Sequence, residues 1–96
     1  MKLGFIGCGN MGTAMVKGVL DSGKCTKEEI MISTKSEKSL EDKKNALGVQ
    51  ATTDNAKVAT FADVLFLAVK PQFYAEVIAQ IRDVVSEEKI VISIAP

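Results

Sequence analysis

Histidine and tryptophan are absent from this sequence of 96 residues, and cysteine and tyrosine are scarce. The two cysteines, Cys8 and Cys25, form no Cys-x-x-Cys pair, and without histidine they complete no zinc-finger spacing. Cysteine–histidine nucleophiles and Ser-His-Asp triads are excluded on the same ground. Tyr74 has no lysine at short helical spacing after it. We therefore predict no catalytic residue and no metal site in this sequence, so that any chemistry must be carried by a cofactor.

The sequence also lacks an excess of charge of one sign, and it lacks long apolar runs. Twelve basic and twelve acidic residues give a formal net charge of zero, and neither sign is gathered into a block. This balance gives no electrostatic support for a partner that is nucleic acid or a membrane surface. No apolar run is long enough to span a bilayer, and no signal-type segment opens the chain. We expect a soluble, cytoplasmic protein.

What is present is an alternation of strand-like and helix-like segments. Strands are predicted at residues 2–6, 30–33, 49–52, 63–69 and 90–94, with helices between them. The fourth, DVLFLAV, is apolar on both faces, as in a strand buried within a parallel sheet. Right-handed crossovers make this βαβαβαβαβ order an α/β, Rossmann-like open sheet, mainly parallel, with helices on both faces. The expected strand order is 3-2-1-4-5, with the ligand crevice beyond strands 1 and 4.

The last predicted helix follows Pro71 and carries a helical stripe of mostly apolar side chains. The stripe consists of Tyr74, Val77, Ile78, Ile81, Val84 and Val85. We expect it to pack against the sheet rather than to form a binding surface.

The stretch FIGCGNMG (5–12) places Gly7, Gly9 and Gly12 in the spacing G-x-G-x-x-G. It follows a strand and opens a helix, which is the context in which this spacing predicts dinucleotide binding. Gly7 permits the tight turn, Gly9 lets a pyrophosphate approach the backbone, and Gly12 lets helix and strand pack closely. Unpaired amides at the start of the helix then face the phosphates. The alternative interpretation is a glycine-rich turn that binds no ligand.

Strand 2 ends in Ser33, Thr34 and Lys35, close to the spacing at which the glycine pattern expects an acidic residue. An Asp or Glu there would bind the adenosine ribose and repel a 2′-phosphate. The two hydroxyls and the lysine can instead bind phosphate oxygens. These residues predict NADP(H) as the cofactor, with NAD(H) and an exposed polar loop without a ligand as the alternatives.

The stretch FLAVKPQ (66–72) places Lys70 at the carboxyl end of strand 4, beside the crevice. Pro71 favours an extended Lys70 and begins the next helix, where proline is tolerated. The backbone groups of Ala68 and Val69 are then free to contact a ribose or a nicotinamide. The residues alone leave open whether this loop contacts a ligand.

Five segments of the chain carry a family resemblance: GFIGCGNMG, MISTKS, TDN, DVLFLAVKPQ and VISIA. Together they resemble the pyrroline-5-carboxylate reductases over the whole chain. The most specific part of the resemblance is AVKPQ joined to the FIGxGNM opening. The resemblance implies reduction of the cyclic imine 1-pyrroline-5-carboxylate to L-proline with NAD(P)H, the last step of proline biosynthesis. It also implies cofactor contacts from several parts of the chain. The pyrophosphate would be surrounded by Ile6, Gly7, Cys8, Gly9, Asn10 and Met11. The 2′-phosphate would be bound by Ser33, Thr34 and Lys35, with Asn55 near the adenosine. The nicotinamide half would be lined by Ala68, Val69, Lys70 and Pro71, with Ile94 and Ala95 beneath it.

Members of that family continue past the last strand with a glycine-containing turn and a helical C-terminal domain, which forms the dimer and holds the substrate. This sequence ends at SIAP, with Pro96 where the family usually has a small residue. Residues 1–96 are therefore expected to be an incomplete dinucleotide-binding domain, inactive alone, from a protein that is a homo-oligomer when full length. Two alternatives stay open: another NADP oxidoreductase of the superfamily, either coenzyme F420-dependent or a hydroxyacid dehydrogenase, and a non-catalytic nucleotide-binding domain.

Overall fold

The computed structural model describes residues 1–7, 9–86 and 88–94. Its strands are β1 (Leu3–Ile6), β2 (Ile30–Ser33), β3 (Gln50–Thr52), β4 (Val64–Leu67) and β5 (Ile90–Ser93). Its α-helices are α1 (Asn10–Ser22), α2 (Glu37–Leu47), α3 (Asn55–Phe61) and α4 (Tyr74–Ile81). Short 3₁₀ turns at Lys27–Glu29 and Pro71–Phe73 precede β2 and α4. Strands and helices thus alternate as predicted.

The strands of the described chain form one parallel sheet in the order β3-β2-β1-β4-β5, which confirms the predicted fold class and order. The central strand is β1, where Phe5 lies opposite Ile32 of β2 and Phe66 of β4. The rings of Phe5 and Phe66 stack with their centroids 4.7 Å apart. Because the winding of the chain reverses between β1 and β4, the carboxyl ends of these two strands open a crevice.

Apolar side chains alternate along β1 and supply the core on both faces of the sheet. Ile6 packs in a cluster that includes Val58 of α3 and Val77 of α4. Phe5 belongs to a second cluster, which includes Val16 of α1 and Leu47 of α2. Helices α1 and α2 therefore cover one face, and α3 and α4 cover the other.

Helix α3 packs closely against the sheet at Gly4 in β1. A Cβ atom added there would lie 2.7 Å from Val58 Cγ1 and 2.8 Å from Ala62 Cβ. Side-chain atoms in well-packed cores do not come that close, so α3 sits this near to β1 only because position 4 has no side chain. The contact fixes the distance between α3 and β1.

Local residues set the ends of the helices. Helices α1 and α2 end at Gly23 and Gly48, whose φ angles of +73° and +71° are left-handed, as is usual for a glycine at this position. At the start of α3, the Ala56 amide donates a hydrogen bond of 3.0 Å to Asp54 Oδ1. Of the two candidate caps in the sequence, Asp54 and Asn55, Asp54 is the N-terminal cap of α3.

The apolar stripe around α4 is only partly buried. Val77 and Ile81 are in the core, but Ile78 is 49% exposed and Val84 is 36% exposed. The expected packing is wrong for these two side chains. Helix α4 ends at Ile81, before Val84, and Ile78 lies about 100° around the helix from Val77.

The edge strand β5 is exposed along its length. It pairs with β4 on one side, yet Ile90, Val91 and Ile92 are 56%, 43% and 38% exposed. These side chains point alternately to the two faces of the sheet, so neither face of β5 is covered by the described residues. Within those residues, no helix combines the length and hydropathy needed to cross a membrane.

Candidate functional site

The turn after β1 is tight because Gly7 adopts a left-handed conformation with φ of +78°. The Gly9 amide donates to the Gly7 carbonyl at 2.8 Å. A Cβ atom at Gly7 would collide with Val69 Cγ1 from the tip of β4. Only glycine meets both requirements at this position, and the tight turn predicted at Gly7 is present.

Gly9 is the N-terminal cap of α1 and faces open space. A Cβ atom added at Gly9 would have no heavy atom within 4 Å. Among the side chains that the structure describes, none caps this end of α1, and its first turn contains no acidic residue. The first-turn amides and the positive end of the helix dipole are therefore free of a competing anion. Gly12 is buried in this first turn.

A hydrogen-bond network joins the tips of β1 and β2 to α3 and α4. Ser33 is 1% exposed; its hydroxyl donates to Asn55 Oδ1 at 2.6 Å and accepts from the Gly7 amide at 3.2 Å. Asn55 Nδ2 donates to Gln80 Oε1 at 2.7 Å. The Ser33 hydroxyl therefore already uses its single proton in the hydrogen bond to Asn55. A phosphate contact from Ser33 stays a prediction that would require this bond to break.

Thr34 and Lys35 form one lip of the crevice. The Thr34 amide donates to the Thr52 carbonyl and its hydroxyl donates to the Ser36 carbonyl, each at 3.0 Å. The Lys35 ammonium lies 4.0 Å from the ring centroid of Phe73, within the range of a cation–π interaction. Because Phe73 precedes α4, this contact bridges the crevice from the β2 side to the β4 side.

The tip of β4 forms the other lip. The Ala68 amide donates to the Ile6 carbonyl at 2.8 Å, which continues the β1–β4 ladder past the end of the strand. Val69 is buried. Lys70 is extended, with φ of −63° and ψ of 147°, before Pro71 at the start of the 3₁₀ turn, as the sequence predicts.

Two cavities open at the carboxyl ends of the strands. The larger cavity, about 670 Å³, lies between the tips of β1, β2 and β4 and helix α2; the smaller, about 340 Å³, lies toward α3 and α4. Of the predicted site residues, the larger cavity is lined by Gly7, Gly9, Met11, Thr34, Lys35, Ala68, Val69 and Lys70. The smaller is lined by Ile6, Gly7, Ser33, Thr34, Lys35, Asn55 and Val69.

Some predicted site residues are not brought to either cavity. Gly12, Pro71 and Ile94 line neither of them, although the Ile94 amide donates to the Leu67 carbonyl at 2.9 Å, beside the tip of β4. Cys8 and Ala95 lie outside the described residues, as does the side chain of Asn10.

Sequence reasoning missed four residues that line the larger cavity: Ser39, Lys43, Gln72 and Phe73. The signal for the first two was helical spacing. Ser36 caps α2 by accepting from the Ser39 amide at 3.2 Å, and positions 36, 39 and 43 fall on one helical face. The Lys43 ammonium donates to Thr13 Oγ1 of α1 at 2.8 Å.

The charge along the wall of the larger cavity is of one sign. Three lysines line it, Lys35, Lys43 and Lys70, and no carboxylate is among the described residues that do so. The formal net charge of the whole chain is zero, so this local excess is not a property of the composition. Such a wall attracts an anion.

At the opposite, amino edge of the sheet, the N-terminal ammonium forms an ion pair. The Met1 ammonium lies 3.0 Å from Glu29 Oε2, and Glu29 Oε1 accepts from the Thr26 amide at 3.0 Å. The hydrogen bond to Thr26, followed by that to the ammonium, lowers the pKa of Glu29. The hydrogen bond to Glu29 raises the pKa of the Met1 ammonium.

Comparison with known proteins places the whole chain in one group. A family model described as NADP oxidoreductase, coenzyme F420-dependent, matches residues 2–96. Pyrroline-5-carboxylate reductases from Methanosarcina acetivorans and Escherichia coli are 43% and 36% identical over 98% of this chain and 35% of their own length. The chain thus spans about a third of the length of these curated relatives.

Solved structures give the same picture. A pyrroline-5-carboxylate reductase from Coxiella burnetii has a TM-score of 0.88 at 39% identity, covering 98% of this chain and 35% of that one. The Plasmodium falciparum pyrroline carboxylate reductase, solved with NADP bound, has a TM-score of 0.82 at 28% identity, covering 99% and 33%. A prephenate dehydrogenase from Aquifex aeolicus in complex with NAD+ shows the fold alone, with a TM-score of 0.85 at 23% identity, covering 99% and 34%.

Proposed function

The chain belongs to the family of NADP oxidoreductases described as coenzyme F420-dependent, and from this premise we propose that it is the dinucleotide-binding part of an NADP(H)-dependent pyrroline-5-carboxylate reductase. The observation that carries the proposal is the open turn at Gly9, which begins α1 beside a cavity lined by three lysines. The relatives from M. acetivorans and C. burnetii, at 43% and 39% identity, support the assignment to this reductase.

The proposed pyrophosphate site is the turn from Ile6 to Gly12. Because Gly9 carries no side chain, a phosphate can approach the first-turn amides of α1 without steric hindrance. The absence of an acid and of a side-chain cap in this turn leaves those amides available. Gly7 holds the turn against Val69 and so sets its position relative to the tip of β4.

The proposed 2′-phosphate site is the lip formed by Thr34 and Lys35, where the Thr34 hydroxyl would have to leave the Ser36 carbonyl to donate to a phosphate oxygen. Its lysine supplies positive charge, and no acid at the tip of β2 repels a phosphate. The Lys35 ammonium lies 4.0 Å from the centroid of the Phe73 ring, and its three N–H donors allow it to bind a phosphate as well. The P. falciparum relative, solved with NADP bound, supports NADP(H) as the cofactor, and NAD(H) is the alternative.

Ser33 takes a positioning role in this proposal. Its buried hydroxyl orients the Gly7 amide and the Asn55 side chain, which together shape the two sides of the adenosine site. Asn55 lines the smaller cavity and is proposed to lie near the adenosine.

The proposed nicotinamide half is the β4 lip, from Ala68 to Pro71, with Ile94 and Ala95 beneath it. The buried Val69 excludes water from the lip, and the extended Lys70 directs its backbone toward the crevice. Bound dihydronicotinamide would supply a hydride to the imine carbon of 1-pyrroline-5-carboxylate, whose nitrogen carries a proton beforehand, so that the product is L-proline. Orientation and removal of water are then the main tasks of the protein.

The remaining features of the whole protein are part of the same proposal. Substrate contacts are assigned to a helical C-terminal domain outside residues 1–96, which also forms a homo-oligomer. The cytoplasm is the proposed compartment, and no nucleic acid or membrane partner is proposed. The 96-residue chain alone is expected to bind the cofactor and to lack reductase activity.

Calorimetric titration tests the cofactor part of the proposal. The purified chain is titrated with NADPH and with NADH, and we expect binding of both, with NADPH tighter. Absence of binding by either nucleotide would overturn the proposal. For the activity, the full-length protein is assayed with 1-pyrroline-5-carboxylate, and no turnover would overturn the assignment to this reductase while leaving the dinucleotide site intact.

A second candidate function is an oxidoreductase that uses coenzyme F420, since the matching family is described in those terms. The same full-length protein is assayed for NADPH oxidation with F420 as the acceptor. Turnover with F420 and none with the imine would favour this candidate. The relatives at 36–43% identity named for the imine substrate favour the reductase.

A further inference from the structure

Lys43 has a feature that the proposed function does not yet use. Its ammonium, in the second turn of α2, donates to Thr13 Oγ1 at 2.8 Å, and its side chain is half-buried in the wall of the larger cavity. Among the described residues, no carboxylate forms a salt bridge with it. Thr13 is neutral, so the full charge and two N–H groups of Lys43 stay available.

Partial burial of an ammonium without an anionic partner is unfavourable. The expected outcome in a chain of balanced charge is a carboxylate nearby, and twelve acidic residues are present to supply one. The lining of the cavity instead combines Lys43 with Lys35 and Lys70 and with no acid. An anionic ligand explains this arrangement, because it supplies the missing charge when it binds.

The location of Lys43 selects which anion. The pyrophosphate is provided for by the amides at the start of α1. Lys43 lies on α2, on the same cavity wall as Ser39, Thr34 and Lys35, where the proposed function puts the 2′-phosphate. Its hydrogen bond to Thr13 of α1 holds the long side chain between the two helices, at the wall of the larger cavity.

We propose that Lys43 is a second cation of the 2′-phosphate site and that, with Lys35, it sets the preference for NADPH over NADH. The inference rests on the proposed function, because it assigns a residue to the cofactor named there. Lys35 is exposed, whereas Lys43 is half-buried and is held at the cavity by its hydrogen bond to Thr13. Lys43 is therefore the preorganised member of the pair.

A purely structural role for Lys43 makes a different prediction. If the lysine only ties α2 to α1, its removal lowers the melting temperature and weakens NADPH and NADH equally. If it binds the 2′-phosphate, its removal weakens NADPH alone. The ratio of the two dissociation constants separates the roles.

The experiment compares Lys43→Gln with Lys44→Gln in the purified chain, by calorimetric titration of NADPH and NADH. Lys44 is the adjacent, exposed lysine of α2 and does not line either cavity, so the control removes the same charge from the same helix. We expect Lys43→Gln to raise the Kd of NADPH about tenfold, the scale of one lost charge-assisted hydrogen bond. NADH, and both nucleotides with Lys44→Gln, should change less than about twofold on the same scale.

Two further measurements complete the test. Lys43→Arg keeps the charge and should retain most of the NADPH affinity, and Lys43→Met is the replacement if Lys43→Gln fails to fold by circular dichroism. The fragments 2′,5′-ADP and 5′-AMP should reproduce the selectivity without a nicotinamide. Equal losses for the phosphorylated and unphosphorylated ligands, or no loss, would overturn the role of Lys43 alone. Failure of the unaltered chain to bind either dinucleotide would overturn the proposed function as well.

Discussion

The amino edge and the carboxyl edge of the sheet differ in whether their charged groups have partners within the chain. At the amino edge, the Met1 ammonium pairs with Glu29 at 3.0 Å. The Lys2 amide there donates to Asp63 Oδ2 at 2.9 Å, and the Asp63 amide returns a bond of 2.8 Å to the Lys2 carbonyl. At the carboxyl edge, lysines line a cavity without a carboxylate among the described lining residues.

This difference predicts which substitutions change the stability of the fold and which change the binding of a ligand. Groups at the amino edge satisfy one another, so changing them should affect only the fold. The carboxyl edge contains cations without an anionic partner and a turn that is open to solvent. Changing these groups should therefore affect mainly the affinity for a ligand. The Ser33 network is the exception, because it is buried and fully paired at the carboxyl edge.

The largest expected effect is that of Gly9→Val on cofactor binding. The added side chain would occupy the open space at the start of α1 and prevent close approach of the pyrophosphate, so binding of NADPH and NADH should fall below detection by calorimetry. The fold should persist, because a Cβ atom there meets no heavy atom within 4 Å.

Gly18→Ala is the matched control for that change. Gly18 is also in α1 with no neighbour within 4 Å of an added Cβ, but it is far from the turn. It should leave binding unchanged and stabilise the helix by about 0.5–1 kcal/mol. Full cofactor binding by Gly9→Val would show that the pyrophosphate lies elsewhere, and the two edges would then not differ as described.

Ser33→Ala tests the exception at the carboxyl edge. It would leave Asn55 Oδ1 and the Gly7 amide without their partner, so the free energy of unfolding should fall by about 1–3 kcal/mol. Chemical denaturation measures this change. Ser93→Ala at the exposed end of β5 is the control, with little expected effect. An unchanged stability of Ser33→Ala would mean that the network contributes nothing to the fold.

Thr34→Asp sharpens the assignment of the 2′-phosphate. The carboxylate should repel that phosphate, so NADPH should lose about 1–3 kcal/mol more binding free energy than NADH. Thermal melting checks that loss of the bond to Ser36 has not unfolded the chain. Thr60→Asp breaks a comparable hydroxyl-to-carbonyl bond on α3 and should not change the cofactor preference. Equal losses for the two nucleotides with Thr34→Asp would place the 2′-phosphate elsewhere.

The smallest expected effect is that of Glu29→Gln at the amino edge. The pKa of Glu29 is lowered from 4.5, so its contribution is present above that pH and is lost as pH falls through the folded pKa. The pKa of the Met1 ammonium is raised from 8.0, so its contribution is present below that pH and is lost as pH rises through the folded pKa. The melting temperature of Glu29→Gln should therefore be slightly lower than that of the unaltered chain only between these limits.

Calorimetry with NADPH provides the control for Glu29→Gln, and binding should be unchanged. A weaker affinity would break the separation between the edges. The effect on stability is small because both groups are exposed to solvent and the pair is screened by salt.

The elements and their order were predictable because their signals are local. Apolar periodicity marked the strands, and Gly23, Gly48 and Asp54 marked the ends of helices. The exposure of Val84 was not predictable, since residues 82–90 contain no glycine or proline that would mark the end of α4. That end depends on how the following segment returns to β5.

The site was predictable at its turns and less so at its side chains. Gly7 was predictable because its left-handed backbone favours glycine, and Gly9 was predictable from its place in the spacing G-x-G-x-x-G. The hydrogen-bond acceptor of the Ser33 hydroxyl is Asn55, which is distant in the sequence and adjacent only in the fold. Lys43 reaches the cavity through its contact with α1, and no local pattern encodes which of two neighbouring lysines does so.

The missing side chain at Gly4 couples the middle of the sheet to its ligand edge. Helix α3 rests directly on the β1 backbone there, and Asn55, which accepts the Ser33 hydroxyl proton at 2.6 Å, is the first residue of that helix. A single methyl group at position 4 would push α3 outward and tilt its leading end, detuning the adenosine pocket from beneath. If the adenosine lies beside Asn55 as proposed, a substitution at Gly4 would weaken nucleotide binding without any direct contact between that residue and the ligand.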